Sequence, residues 1–498
     1  MPESTPESTL ATNPNPADPL KVHPEELPDI QGLILHGYNM PKVRHFVLTI
    51  GQVSAALSFL NALTSGSGLM SVTSAARWPP GMKPEYALNI GLTAKGLEAL
   101  KLPSTVNFNK GNFGSFLGGA VAAAPKVFDI GPNDPSNWLT KLNRDNANLA
   151  HVVLSLYTFT PEARKEFSIK LRMMFAPVIP PPGAPGHDVL EWDVDPIIEV
   201  DPITLEKYRL IHFGYTDGIS EPIVDECGVP PLRPQQLPYV AAWQFVLRDG
   251  EMTSYNLPQP WQLGQNGTFS AFRILEQNVP AFEAFLKADG RDEAAQEILA
   301  SKLCGRWRNG NPVVVRPDAP GPRLSDNEMK DFDYGTDIVG QPCPFSAHTR
   351  RTNSRGGPLV VPVGDKVDHR IMRRADAYGP LYTGVDDGKE RGLAGHFMCA
   401  MLSNQFEFLM SQWVNNATFA GGKALPGVDP LLGNVGNVPN VPNENSFTYW
   451  ENSQPVVVDG LSRFVTTRGG LYCFLPSITA IKWMAANGGA TNAWKIPV

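Results

Sequence analysis

The sequence predicts an α+β protein, an antiparallel sheet with helices on one face. Three observations carry this. Apolar runs of strand character alternate with segments of helical periodicity in both halves of the chain. No short-period repeat appears, which excludes a solenoid. Charged residues make up only 18% while Gly and Pro number 45 and 47, the composition of long loops on a compact scaffold.

The elements follow in order. Residues 42–51 read as a strand through Val43, Phe46, Val47, Leu48 and Ile50, and residues 53–64 have helical spacing. A strand over 86–92 precedes a helix starting at 94–100, and a strand over 150–157 precedes an amphipathic helix over 161–175 with proline near its start. The proline-rich, acidic stretch 176–205 reads as a surface insertion between the halves. The second half repeats the logic, with strands over 241–247 and 268–275 and helices over 279–288 and 292–304. A strand followed by a helix spans 391–415, and a strand over 471–475 and a short helix over 478–484 close the chain.

At 498 residues the chain has room for two or three domains and a cavity that encloses a cofactor. A net charge of −7 with dispersed basic residues argues against a nucleic-acid partner. No apolar run reaches the roughly 18–20 residues that span a bilayer. The five cysteines, Cys227, Cys304, Cys343, Cys399 and Cys473, form no Cys-x-x-Cys pair. They read as buried free thiols, not as a disulfide framework, a zinc site or a covalent haem attachment. Residues 1–28, rich in Pro, Ser, Thr and Glu without aromatics, are expected to form a disordered tail. They lack the features of a secretory signal, and the compartment is left undetermined.

Three segments carry chemistry. In Cys343-Pro344-Phe345-Ser346-Ala347-His348, an imidazole sits among small and apolar residues, and Arg350, Arg351 and Arg355 follow closely. A neutral imidazole ligates iron, and arginines neutralise a cofactor's carboxylates. Upstream, Gly214-Tyr215-Thr216-Asp217-Gly218 clamps an acid between glycines, where the backbone can approach a ligand closely. Downstream, His369-Arg370-Ile371-Met372-Arg373-Arg374 is a basic cluster. A ligand, an acid and an arginine together can build a haem peroxidase site. His45, His151, His212, His369 and His396 lack comparable context and read as structural.

At these residues the chain resembles the dye-decolourising peroxidases, with Ser354 where that family usually has proline. Further matches run from Asp29-Ile30-Gln31-Gly32 to about residue 480. The resemblance implies two ferredoxin-like α+β halves, antiparallel sheets with peripheral helices, packed around one haem b per chain. Residues 29–226 would carry the distal aspartate motif and residues 227–498 the ligand histidine and distal arginine.

It further implies that His348 is the proximal iron ligand, with Asp429 as candidate partner for its second ring nitrogen. Asp217 would be the distal acid–base, moving a proton between the peroxide oxygens. Arg373 is favoured over Arg370 and Arg374 as the stabiliser of the departing oxygen, because Tyr378 lies five residues on. Arg350 and Arg355 are the expected partners of haem propionates. Leu393 matches a leucine of the distal wall. Gly395 stands where a phenylalanine is common, which either widens the pocket or leaves Phe397 to fill it. Tyr378 and Trp413 match surface radical sites, through which bulky dyes could react, beside an ordinary packing role. The acids Asp365, Asp368, Asp376, Asp386 and Asp387 would suit oxidation of Mn²⁺, beside a plainer reading as a solvated loop. The expected reaction is oxidation of dyes and phenolics by H₂O₂, and the alternative is a haem-handling protein with little turnover.

Overall fold

The structure is a computed structural model that describes residues 18, 20–66, 68–201, 205–227, 239–249, 255–353, 355, 369–419, 427–439 and 445–497. Its centre is an eight-stranded antiparallel sheet. We number the strands β1 (Lys42–Leu48), β2 (Tyr86–Leu92), β3 (Val152–Thr158), β4 (Leu190–Val194), β5 (Thr268–Gln277), β6 (Met372–Tyr378), β7 (Gly392–Cys399) and β8 (Val465–Leu475). They run β6-β7-β5-β8-β2-β3-β1-β4 across the sheet. Within each half the order is the same: second strand, third, first, fourth. This is the ferredoxin-like arrangement, made twice.

The two halves join edge to edge through one strand pair, Leu92 with Phe474. Gln31 reinforces the seam. Its buried amide donates to the carbonyls of Ile90 (2.9 Å) and Pro476 (2.7 Å) and accepts from the Ile90 N–H. The outer strands β4 and β6 also meet, with Trp192 edge-on to Tyr378 at 5.0 Å between ring centres. The sheet is therefore curled almost into a barrel, which leaves little edge exposed.

Strand alternation sorts the side chains of this curled sheet into two cores. Val43, Val47, Val153, Phe272, Met372, Ala394 and Met398 pack inside. Phe46, Leu48, Leu154, Leu156, Phe269, Leu275 and Phe397 pack outward under the helices. The interior also holds a buried polar chain. His45 meets the Ser155 hydroxyl at 2.9 Å, that hydroxyl meets His396 at 3.0 Å, and His396 meets Ser270 at 2.9 Å. Burial pushes His45 down to about 3, so it stays neutral and structural, as read from the sequence.

The helices over Val53–Ser65, Ala94–Ala99, Pro161–Phe175, Val279–Lys287, Glu293–Cys304 and Ile478–Asn487 fall where periodicity placed them. Thr160, Asn278, Asp292 and Ser477 cap four of them through side-chain oxygens.

Several expectations need correction. Residues 20–28 do not belong to a disordered tail: Val22 is buried and pairs with Glu226, and Glu26 forms an ion pair with buried Arg248. Residues 1–17 lie outside the described residues. The stretch 176–205 is more than an insertion, since it supplies β4 and the strand Ile197–Val200. Residues 241–247 form no strand. They are apolar because a short helix, Ala242–Gln244, is packed into the core.

Beneath the outer face, Arg273 and Asp129 form a fully buried bidentate pair at 2.6 and 2.7 Å, which Thr467 joins. Removing one partner strands the other charge without solvent. Asp129→Ala should therefore cost roughly 3–5 kcal/mol in urea unfolding. A loss below about 1 kcal/mol, within the range of an exposed pair, would show that the pair is solvated.

Candidate active site

The outer face of the second half carries a cavity of about 280 Å³. Leu275, Leu393, Phe397, Leu431 and Val465 make its apolar wall, and the segment 211–222 closes it. His348 lines it from the start of a short helix, His348–Thr352.

Three buried groups fix that imidazole. Asp429, with no solvent exposure, accepts from Nδ1 at 2.8 Å through Oδ2. Its Oδ1 accepts from the N–H groups of Leu431 and Leu432, each at 2.9 Å. A carboxylate can only accept, so Nδ1 carries the proton and Nε2 keeps its lone pair. Burial pushes the Asp429 carboxyl up, but His348 and the Leu432 N–H outweigh it and the net displacement is down. Arg351, fully buried, donates to the carbonyls of Trp413 (2.8 Å), Val414 (3.1 Å) and Gly427 (2.5 Å). It thereby ties the His348 helix to the loop that carries Asp429. Arg350 pairs with buried Asp337 at 2.7 Å and lies over Tyr334 and Phe345.

Arg350 is therefore not available to a propionate. Its guanidinium is consumed by Asp337 and two carbonyls, as a buried charge requires. Arg355 does line the cavity. Its Nη2 donates to the Ser220 hydroxyl at 3.0 Å, which also accepts from Arg306 at 2.9 Å. Arg306 and Arg370 line the cavity as well, and Arg306 was not singled out from the sequence.

Asp217 sits in a turn whose glycines, Gly214 and Gly218, have φ of +86° and +76°. Such angles suit glycine alone without strain. Its carboxylate accepts from both terminal nitrogens of Arg373, from Nη1 at 3.2 Å. On β6 alternate residues face opposite ways. Arg373 turns outward to the cavity, while Arg374 turns to the carbonyl of Leu33 at 3.0 Å. Glu221, which the sequence did not mark, accepts the Arg373 backbone N–H at 2.8 Å. Burial works against the Arg373 charge, but Asp217 and Glu221 hold it well above the usual arginine range. Asp217, Glu221 and Arg373 also line an adjoining polar cleft of about 1000 Å³. The acid and the arginine thus stand at the partition between cleft and cavity.

Gly395 does not widen the pocket. A Cβ there would come within 2.2 Å of the Arg374 carbonyl, so the position faces β6 and not the cavity. Phe397 fills the wall beside Leu393 instead. Tyr378 is not at the surface: it is 4% exposed and donates to Glu390 at 3.2 Å. Trp413 is half-buried against Phe408 and Phe419. The acids named for Mn²⁺ do not converge. Asp376 pairs with Arg209 and Asp387 with Arg391, Asp386 accepts from Gly388, and Asp365 and Asp368 lie outside the described residues, as does Ser354.

These residues fit a haem. Nε2 of His348 has no hydrogen-bond partner among the described residues and belongs to a side chain that lines an apolar cavity with three further arginines, Arg306, Arg355 and Arg370. Cys304 also lines it, but burial pushes that thiol up to about 12, leaving it protonated and a poor iron ligand.

Fold and cavity together define an α+β haem protein of the peroxidase kind. No family model matches the chain. It is 28% identical to Peroxidase 2 of Mycetinis scorodonius over 510 residues, covering 92% of this chain and 87% of the relative. It is 33% identical to the dye-decolorizing peroxidase AauDyP1 of Auricularia auricula-judae over 304 residues, 54% of this chain and 55% of that one. A solved dye-decolorizing peroxidase in complex with 2,6-dimethoxyphenol superposes with a TM-score of 0.71 at 26% identity, covering 92% of this chain and 99% of that chain. Over most of its length the chain is thus similar to DyP-type peroxidases in both sequence and fold.

Losing a carboxylate behind a metal-ligating histidine typically costs 10–100-fold in affinity. Asp429→Ala should weaken haem binding by about that factor in a haem titration, and an unchanged affinity would refute its role. The pH sign follows from the depressed carboxyl. Its stabilising contribution is present above the ordinary value of about 3.9 and is lost as pH falls through the lower folded value. Asp429→Asn should remove that part of the acid unfolding limb.

Proposed function

We propose that the protein is a peroxidase that uses H₂O₂ to oxidise dyes and phenolics in one-electron steps, with one haem b per chain held by His348. The observation that carries the reading is that a carboxylate-backed imidazole and an Asp–Arg pair line one apolar cavity. A related structure that binds 2,6-dimethoxyphenol supports phenolics as the substrate class. When bound, the haem supplies the redox chemistry, taking two oxidising equivalents from peroxide and passing them on singly.

The residues do the rest. Asp217 takes the proton from one peroxide oxygen and returns it to the other, which then leaves as water. Arg373 stabilises negative charge on that departing oxygen in a site largely shielded from water. Glu221 holds the Arg373 backbone in place. Of the arginines that line the cavity, Arg355 and Arg370 would hold the haem's carboxylates, since Arg306 is engaged by two carbonyls and Ser220, and Leu275, Leu393 and Phe397 would exclude water. The presence of both Asp217 and Arg373 favours turnover over mere haem handling. Trp413, partly exposed where Tyr378 is buried, is the better placed of the two aromatic residues to pass an electron to a bulky dye.

Arg373→Leu should slow the reaction with H₂O₂ by roughly 10²–10³ in stopped flow, while Arg374→Leu, on the other face of β6, should lose under about tenfold. The reverse ranking would assign the wrong arginine. Trp413→Phe should lower turnover of bulky dyes and spare small phenols. Equal losses on both would reduce Trp413 to packing.

A further inference from the structure

Away from the haem cavity, the first described residues run beside the segment 225–227. The Val22 N–H donates to the Asp225 carbonyl and the Cys227 N–H donates to the Val22 carbonyl, both at 2.8 Å. This pairing sets Cys227 next to His23, a residue 204 positions away. The Cys227 sulfur lies 3.4 Å from Nε2 of His23, and Oδ2 of Asp18 lies 3.5 Å from the same nitrogen. All three donor atoms lie within 4.8 Å of one another.

Convergence on one ring nitrogen is the informative point. A single N–H serves two acceptors only through a bifurcated bond, and here both contacts are long, at 3.4 and 3.5 Å. A catalytic relay would place the acid on Nδ1 and the thiol on Nε2. Three donors around a common point is instead the geometry of a bound cation. Tetrahedral Zn²⁺, with bonds of about 2.0–2.3 Å, sets neighbouring donors about 3.3–3.6 Å apart, and the two measured separations fall there.

The surroundings agree. Oδ1 of Asp18 accepts the Leu20 N–H at 2.8 Å, which leaves Oδ2 for a metal. Nδ1 of His23 lies on the other side of the ring, 3.9 Å from the exposed carboxylate of Glu25 and beyond hydrogen-bond range. Cys227 is also the one cysteine of five that is not buried. Thiolate with imidazole and carboxylate suits zinc, whereas Mg²⁺ and Ca²⁺ take oxygen ligands.

We propose that Asp18, His23 and Cys227 bind one Zn²⁺, with water completing the fourth position, and that this ion clamps Asp18 and residues 20–27 onto the segment 225–227. None of the three lines either cavity, so the site is independent of the peroxidase reading.

The test uses the haem-loaded full chain, without a histidine tag, exposed to micromolar ZnSO₄ and desalted. The expected result is one zinc per chain beside the iron. The zinc K-edge absorption spectrum should show one sulfur at about 2.3 Å with nitrogen and oxygen at about 2.0 Å. Cys227→Ser should remove the sulfur shell and His23→Ala the zinc, both with haem spectrum and dye turnover unchanged. In the wild type, zinc should slow alkylation of Cys227 by iodoacetamide at least tenfold, a readout that needs no variant. Failure to retain zinc, a shell without sulfur, or an alkylation rate indifferent to zinc would overturn the proposal.

Discussion

A carboxylate without solvent contact must have every strong interaction supplied by the protein, and Asp429 is such a group. One oxygen is committed to two backbone N–H groups, the other to His348. That division fixes the imidazole's tautomer, its direction and its basicity at once. Much of the surrounding architecture exists to hold this bond. Arg351 ties the histidine's helix to the loop of the acid through three carbonyls, and Arg350 with Asp337 locks the segment just before it. Two arginines beside His348 thus act as internal cross-links, while Arg306, Arg355, Arg370 and Arg373 line the cavity.

The curled sheet supplies the other wall. Because β6 alternates, Arg373 reaches the cavity and Arg374 the opposite face, a choice made by the strand's pleat and not by the charge of either residue. The same alternation puts Leu393 and Phe397 on the cavity side of β7, and His396 in the interior with Ser155 and Ser270. Asp217 reaches its arginine from a separate turn, held open by two glycines of positive φ. The site therefore needs both the register of the sheet and the placement of the segment 211–222.

Much of this was legible in the sequence. Long elements with clean periodicity, such as Pro161–Phe175 and β3, stand at the expected positions. His348, Asp217, Arg373, Leu393 and Asp429 meet around one site because their segments are distinctive. What was hidden was hidden for physical reasons. The helical segment Lys110–Ala123, kinked at Phe113 and Gly119, contains four glycines and drew no assignment from periodicity. In β6, two adjacent arginines obscure the alternation. The strand β4 is short and follows a proline-rich stretch. Arg350 and Arg355 look alike in sequence, and only tertiary partners separate a structural guanidinium from one that faces the cavity. The convergence of Asp18, His23 and Cys227 has no local signature, since it depends on chain segments about two hundred residues apart.

The central claim is that His348, held by Asp429, is the iron's protein ligand. Resonance Raman spectroscopy of the ferrous protein reads that bond directly through the iron–imidazole stretching band. The account predicts a band in the wild type that is absent in His348→Gly and moves to lower frequency in Asp429→Asn, where the imidazole loses its anionic partner. A band that survives in His348→Gly, or one that Asp429→Asn leaves in place, would contradict it.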